Sequence, residues 1–249
     1  MRLRRVYSAE PLAGGGQASL SGAAARHIIK VLRLRPGDEL VLFDGRGGEY
    51  PARLASNRGD HVELTLGEHY QREVESALPL SLVQGVSRGD RMDTIVQKAT
   101  ELGARTIVPV VTEYSVVKID AERTHRRLEH WQRIAHSACE QSGRHAPPSI
   151  SEPQPLERGL EALSQTGTRL ALDPAAELTF ANGSSPERRA TPVCLLVGPE
   201  GGLSERDLLL ADRAGFERVK LGPRILRVET AAIAACTIAQ ANWGDLLEP

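Results

Sequence analysis

The chain has 249 residues, 41% of them hydrophobic and 25% charged, the composition of a soluble globular protein of one large or two ordinary domains. Its formal net charge of -1 hides an asymmetry: residues 1–72 carry 11 Lys/Arg against 8 Asp/Glu, whereas residues 73–249 carry 20 against 24. Three widely spaced cysteines among apolar neighbours, seven histidines without an HExxH pair, no apolar run of about 20 residues and no apolar leader argue against a disulfide scaffold, a metal site, a membrane span and secretion, and predict a cytoplasmic protein.

The chain opens with a basic stretch. Arg2, Arg4, Arg5, Arg26, Lys30, Arg33 and Arg35 face only Glu10 within residues 1–35, which suits a phosphate backbone, although a solvated arm without a partner has the same composition. Gly14-Gly15-Gly16, Arg35-Pro36-Gly37-Asp38, Asp44-Gly45 and Asn57-Arg58-Gly59-Asp60 cut the first 70 residues into short segments. Of these, 39–43, 49–55 and 61–66 have strand length and alternation, and 21–34 carries Ala24, Ile28, Val31 and Leu32 at helical spacing. Arg26, Lys30 and Arg33 then fall on or near the opposite helix face, either to meet phosphates or simply to keep that face wet. Residues 1–72 read as a small β-barrel-like domain.

Past the polar stretch 68–76 the pattern changes, and a boundary is placed near residue 73. Residues 78–86 and 106–112 read as buried strands, and between them Met92, Ile95, Val96, Ala99 and Leu102 mark an amphipathic helix stopped by Gly103. There follow a long charged helix at 122–142, strands at 169–172 and 193–197, a helix at 204–214, a strand at 219–221 and a helix at 229–243. Residues 149–165 and 182–192 read as connections. Strands alternating with helices imply an α/β domain over 73–249, with a largely parallel sheet and helices on both faces.

Two loops carry the chemistry. The first, Gly198-Pro199-Glu200-Gly201-Gly202, joins the apolar strand at 193–197 to a helix whose Ser204 and Asp207 have capping-box spacing. Ligands of open α/β sheets bind beyond the carboxyl ends of strands, so a three-glycine turn there suggests close backbone approach to a ligand; a tight turn without a ligand is the plain alternative. It matches neither GxxxxGK[ST] nor GxGxxG, so no nucleoside triphosphate or dinucleotide is indicated. The second loop, Leu221-Gly222-Pro223-Arg224-Ile225-Leu226-Arg227-Val228-Glu229-Thr230, leads into a small-residue helix. Glu229 falls in the first helical turn, where a carboxylate is favoured electrostatically, so capping and catalysis are both open to it. Arg224 and Arg227 read either as surface ion-pair partners or as ligand contacts.

Together, GPEGGLSE and LGPRILRVETA resemble the RsmE family of ribosomal RNA uridine-N3 methyltransferases, in the SPOUT superfamily. The resemblance extends to the arm at 2–7, to HIIKVLRLRPGD (27–38), Phe43-Asp44-Gly45, KATELGARTIVP (98–109) and Cys139-Glu140-Gln141-Ser142-Gly143-Arg144; His145 and Val228 stand where the family often has Asn and Thr. It implies an N-terminal PUA-like β-barrel, a trefoil-knotted α/β methyltransferase domain with its knot and cofactor site about 168–243, and a homodimer. It implies S-adenosylmethionine as cofactor, its adenine among the loops after Leu172, Val197 and Leu221, with Gly198, Glu200, Gly201, Gly202, Gly222, Ile225, Leu226 and Thr230 around it. Side chains at the four glycines would then fill the cofactor's volume. The implied reaction methylates N3 of a uridine in 16S ribosomal RNA, naked or within the small subunit. Arg227 is the candidate for stabilising the uracil anion, Glu229 or Glu200 for accepting the N3 proton, and Arg2, Arg4, Arg5, Lys30, Arg33, Arg144 and Arg224 for holding RNA. Competing readings are a SPOUT enzyme acting on transfer RNA or a ribose hydroxyl, a non-catalytic RNA-binding assembly factor and a small-molecule dehydrogenase; the intact loops and the missing dinucleotide fingerprint weigh against them.

Overall fold

The computed structural model describes residues 4–115, 121–163, 166–180 and 191–247. The chain divides into one unit of Met1–Glu75 with His136–Pro147 and a second of Ser76–Ala135 with Pro148–Pro249. Residues 136–147, which the sequence pattern assigned to the second domain, therefore cluster with the first.

In the first unit, β1 (Arg5–Tyr7), β2 (Gln17–Ser21), β3 (Glu39–Phe43), β4 (Tyr50–Arg58) and β5 (His61–Leu66) form one sheet in the order β1-β3-β4-β5-β2. Only the β1–β3 pairing is parallel; the others are antiparallel, with a bulge in β4 between Leu54 and Ser56. The inward residues of these strands, Val6, Leu20, Leu40, Leu42, Leu54 and Leu64 among them, close a core with Ala25 and Ile28. The alternation of β5 (His61–Leu66), exposed and buried by turns, is the pattern of a sheet with one dry face. The helix expected at 21–34 is shorter and irregular: α1 (Gly22–Arg26) runs into a π-helical stretch, His27–Val31, closed by Leu32 N–H donating to the His27 carbonyl at 2.9 Å. Arg33 then adopts φ of 56°, a left-handed conformation that ends the helix.

The second unit is built on β6 (Leu80–Gly85), β7 (Ala104–Val111), β8 (Ser149–Ile150), β9 (Gln154–Pro155), β10 (Thr168–Leu172), β11 (Val193–Val197) and β12 (Glu217–Val219). The order is β12-β10-β11-β6-β7-β8, with β9 also on β7, and every pairing is parallel. Such a sheet must be covered on both sides, and alternate residues of β11 show it. Val193, Leu195 and Val197 pack against α2 (Asp90–Glu101), α6 (Val228–Trp243) and Trp131 of α3 (Ala121–Ser142), whereas Cys194 and Leu196 pack toward α4 (Leu156–Glu161) and Ala211 of α5 (Glu205–Arg213). The short β8, β9 and α4 occupy the segment expected to be a connection. Among the described residues no helix is long and apolar enough to cross a membrane.

Candidate functional site

Three strands that neighbour one another in the sheet, β12, β10 and β11, send their carboxyl ends to the same edge. That adjacency brings together loops about twenty residues apart in sequence, and between them lies a cavity of about 670 Å³, within the usual size of a small-molecule site. Leu172, Val197 and Leu221 contribute from the strand ends, Gly198, Glu200, Gly201 and Gly202 from the first turn, and Gly222, Arg224, Ile225, Leu226, Arg227 and Glu229 from the second loop. Thr230 is exposed and stands outside the cavity wall, while Ile225 lines it with 87% of its surface open.

The first turn is locked internally. Gly202 N–H donates to the Pro199 carbonyl at 2.9 Å with Gly202 at φ of 76°, and Ser204 and Asp207 form the expected capping box, Asp207 N–H to Ser204 Oγ at 3.1 Å and Ser204 N–H to Asp207 Oδ2 at 3.0 Å. The glycines divide into two pairs. A β-carbon on Gly198 would lie 2.6 Å from the Gly202 backbone, and one on Gly201 would lie 2.8 Å from Tyr114 Cβ, so these two permit the protein's own close packing rather than ligand clearance. Gly202 and Gly222 have open space about the missing side chain and positive φ, so both the backbone conformation and the adjoining volume favour glycine there.

Two residues outside both motifs hold this turn from below. Gln84, wholly buried on β6, donates from Nε2 to the carbonyls of Gly85 at 3.0 Å and Gly198 at 3.2 Å. A β-carbon on Gly85 would sit 2.5 Å from Pro199. A glycine closing a strand pattern signals such an approach in the sequence; Gln84 carries no comparable signal.

The two candidate carboxylates have unlike surroundings. Glu200 Oε1 accepts from Arg88 N–H at 2.9 Å and from Arg91 Nη1 at 2.8 Å. Burial pushes its carboxyl up, but Arg88 N–H, its own backbone and the Arg91 guanidinium together outweigh that and hold it below the usual range. Glu200 is thus an ionised strut, poorly suited to accept a proton, and Arg91, which also lines the cavity, is a site residue that sequence reasoning missed. Glu229 lies in the first turn of α6 with Oε2 buried and no hydrogen-bond partner among the described residues. Arg227 is the N-cap residue of α6 and makes no side-chain capping bond; both it and Arg224 are exposed, and neither forms an ion pair among the described residues.

The basic residues of the first unit separate into two groups. Arg4, Lys30 and Arg33 are exposed, whereas Arg2 lies outside the described residues. Arg5 and Arg144, both expected to hold RNA, are only 8% and 5% exposed and are engaged within the protein. Arg5 pairs with Glu49 and donates from Nη2 to the Arg144 carbonyl at 3.0 Å; Arg144 donates from Nε and Nη2 to Glu75 Oε2 at 2.9 and 2.7 Å. The arm forms strand β1, and that strand carries Arg5 inward.

The cavity suits a small organic ligand with polar ends: a glycine-lined wall with open space, arginines and two glutamates on its lining, and the start of α6 beside it. Comparison with known proteins agrees. A family model described as an RNA methyltransferase domain matches residues 74–240, and one described as an RNA methyltransferase PUA domain matches 20–67. Ribosomal RNA small subunit methyltransferase E of Buchnera aphidicola subsp. Schizaphis graminum is 33% identical over 245 residues, 98% of each chain. Among solved structures, ribosomal RNA small subunit methyltransferase E from Neisseria gonorrhoeae bound to S-adenosylmethionine has a TM-score of 0.88 at 36% identity, covering 98% of this chain and all of that one. A Legionella pneumophila protein solved as a methyltransferase with the same cofactor has a TM-score of 0.93 at 35% identity, covering 99% and 100%. On these matches and the fold that carries them, the chain belongs to the ribosomal RNA small subunit methyltransferase E family.

Proposed function

We propose that this protein methylates N3 of a uridine in 16S ribosomal RNA, using S-adenosylmethionine held in the cavity at the carboxyl ends of β10, β11 and β12. The observation that carries the reading is the cavity lining: strand ends, glycine turns, arginines and the glutamates Glu200 and Glu229 meet there, and Glu229 Oε2 is buried without a hydrogen-bond partner among the described residues. When bound, S-adenosylmethionine supplies an electrophilic methyl group on a sulfonium.

Gly202, Gly222 and the strand-end residues Leu172, Val197 and Leu221 would border that cofactor, with Gly198 and Gly201 shaping the turn behind it. N3 of neutral uracil bears a proton, so the reaction needs an acceptor and a counter-charge for the resulting anion. Glu229 Oε2 has the unused acceptor capacity for the first task, and the exposed guanidinium of Arg227 can reach outward for the second. Glu200, paired with Arg91, would instead keep the first turn closed. Arg224 at the cavity and Arg4, Lys30 and Arg33 on the first unit would bind phosphates, which position RNA without reading its sequence.

The trefoil knot about 168–243 and the homodimer belong to the same proposal and follow from the family resemblance; a cytoplasmic location belongs to it as well and follows from the sequence pattern. Incubating the purified chain with S-adenosylmethionine and unmodified 16S ribosomal RNA or small subunits, followed by nucleoside mass spectrometry, should yield N3-methyluridine. Methylation of another base, of a ribose or of nothing at all would reject the reading. Sedimentation as a monomer at working concentrations would reject the dimer.

A further inference from the structure

Among the described residues of the second unit, four of five aromatic side chains are buried: Trp131, Phe180, Phe216 and Trp243. The fifth, Tyr114, keeps 51% of its surface open. It lies in the turn after β7, and that turn is held at both sides. Glu113 N–H donates to both carboxylate oxygens of Asp207, at 3.4 and 3.3 Å, and Thr112 N–H donates to Ser115 Oγ at 3.0 Å. Asp207 is 4% exposed and is also the capping-box residue of α5, so one buried carboxylate fixes the helix start and the turn bearing Tyr114 together.

The tyrosine rests on the first glycine turn. A β-carbon on Gly201 would meet Tyr114 Cβ at 2.8 Å and Cγ at 3.5 Å, so any larger residue at position 201 would push the ring away. Gly201 lines the cavity and Tyr114 does not, which puts the ring at its margin, next to the wall rather than in it.

We propose that Tyr114 is the stacking platform for the target base, receiving the face of the uracil once it has left the RNA stack. The inference rests on the ribosomal RNA methyltransferase reading above. N3 lies on the pairing edge, so the nucleotide must be unpaired and exposed before it can react, and a flipped base is held by aromatic or apolar faces that replace its lost neighbours. Aromatic faces stack on any base without reading its edge, which leaves N3 free to point at the cavity.

The test uses the full chain with Tyr114→Leu, Tyr114→Phe and Tyr114→Trp. Leucine keeps apolar bulk without a ring, and at a half-exposed position each variant should fold. Calorimetry measures S-adenosylmethionine binding, and steady-state methyl transfer to 16S ribosomal RNA gives kcat/KM for the RNA. The expected result for leucine is a fall of about ten-fold or more in kcat/KM for RNA with cofactor affinity kept, and recovery with phenylalanine and tryptophan. Leucine at the wild-type rate, leucine weakening cofactor binding as much as RNA use, or phenylalanine failing as badly as leucine would each overturn the stacking role. If the wild type binds the cofactor but methylates no ribosomal RNA, the functional reading falls and takes this inference with it; if the wild type is active and leucine is indistinguishable from it, only the stacking role falls.

Discussion

Replacing Arg144 by alanine separates a structural role from an RNA-binding one. The guanidinium donates twice to Glu75 Oε2, at 2.9 and 2.7 Å, while Glu75 Oε1 accepts from His145 N–H at 2.9 Å and Ala146 N–H at 3.1 Å. Truncation would leave that carboxylate with two backbone donors and no counter-charge. Breaking a buried pair costs about 3–5 kcal/mol, and because the Glu75 side chain keeps 26% of its surface in water the lower end applies, about 3 kcal/mol. At a urea slope of about 2 kcal/mol per M the unfolding midpoint should fall by about 1.5 M. Arg144→Lys, which keeps the charge and loses the two-pronged geometry, should fall between. The pH dependence gives a second reading of the same bond. Burial pushes the Glu75 carboxyl up, but Arg144 and the two backbone N–H groups outweigh it and hold it below 4.5. A carboxyl lowered on folding stabilises above its unfolded value and loses that contribution as pH falls through the folded one, so the gap between wild type and Arg144→Ala should be full at pH 7 and narrow below about pH 4.5. An Arg144→Ala variant within about 0.5 kcal/mol of wild type, yet impaired in RNA binding, would refute the structural assignment.

Glu229→Gln preserves shape and removes basicity; methyl transfer should drop by about 100-fold or more while the cofactor dissociation constant holds, and an unchanged rate would remove Glu229 from the proton path. Gly198→Ala, whose new methyl would strike the Gly202 backbone, should weaken cofactor binding by about ten-fold or more through a strain of about 1–3 kcal/mol, and wild-type calorimetry would contradict the packing argument. His136 stacks on Tyr7 with ring centroids 4.0 Å apart, and burial pushes its imidazole down from 6.5 to about 4. A base lowered on folding is stabilising while neutral, so this contribution is complete above pH 6.5 and is lost between 6.5 and about 4; at about 1.4 kcal/mol per pH unit the loss approaches about 3.5 kcal/mol. His136→Phe should flatten that stretch of the stability profile, and a wild-type profile already flat there would count against the burial of a neutral imidazole.

The parallel sheet was legible because strands buried on both faces must be apolar at every position, as Val193 to Val197 are. The cavity was legible because its glycines, arginines and acid cluster in two short segments. Other features left no periodic trace. Strands β8 and β9 are two residues each, too short for alternation to register, and they lean on β7. The arm became a strand because β3 offered it a parallel edge, which no local pattern in 2–7 announces. Composition likewise could not separate Arg5 and Arg144 from Arg4 and Lys30, because the partners that bury the first two, Glu49 and Glu75, lie 44 and 69 residues away along the chain.

Two glutamates in one cavity show how the fold assigns roles that residue type leaves open. Glu200 sits where β11 turns toward α5, beside the end of β6, and the loop there offers it Arg88 N–H and the Arg91 side chain; every interaction with those groups favours the ionised form. A carboxylate so engaged must break a charge-assisted bond before it takes a proton, which makes it a good tether and a poor base. Glu229 stands in the first turn of α6, where the helix terminus favours negative charge but the described side chains leave one oxygen unpartnered. Burying an acceptor without a donor is costly, and a site that gains its missing donor only when a substrate N–H arrives recovers that cost in the bound state. Under the proposed reaction the unpartnered oxygen of Glu229 is therefore the candidate acceptor for uracil N3–H, and Glu200, tied to Arg91, is the weaker one.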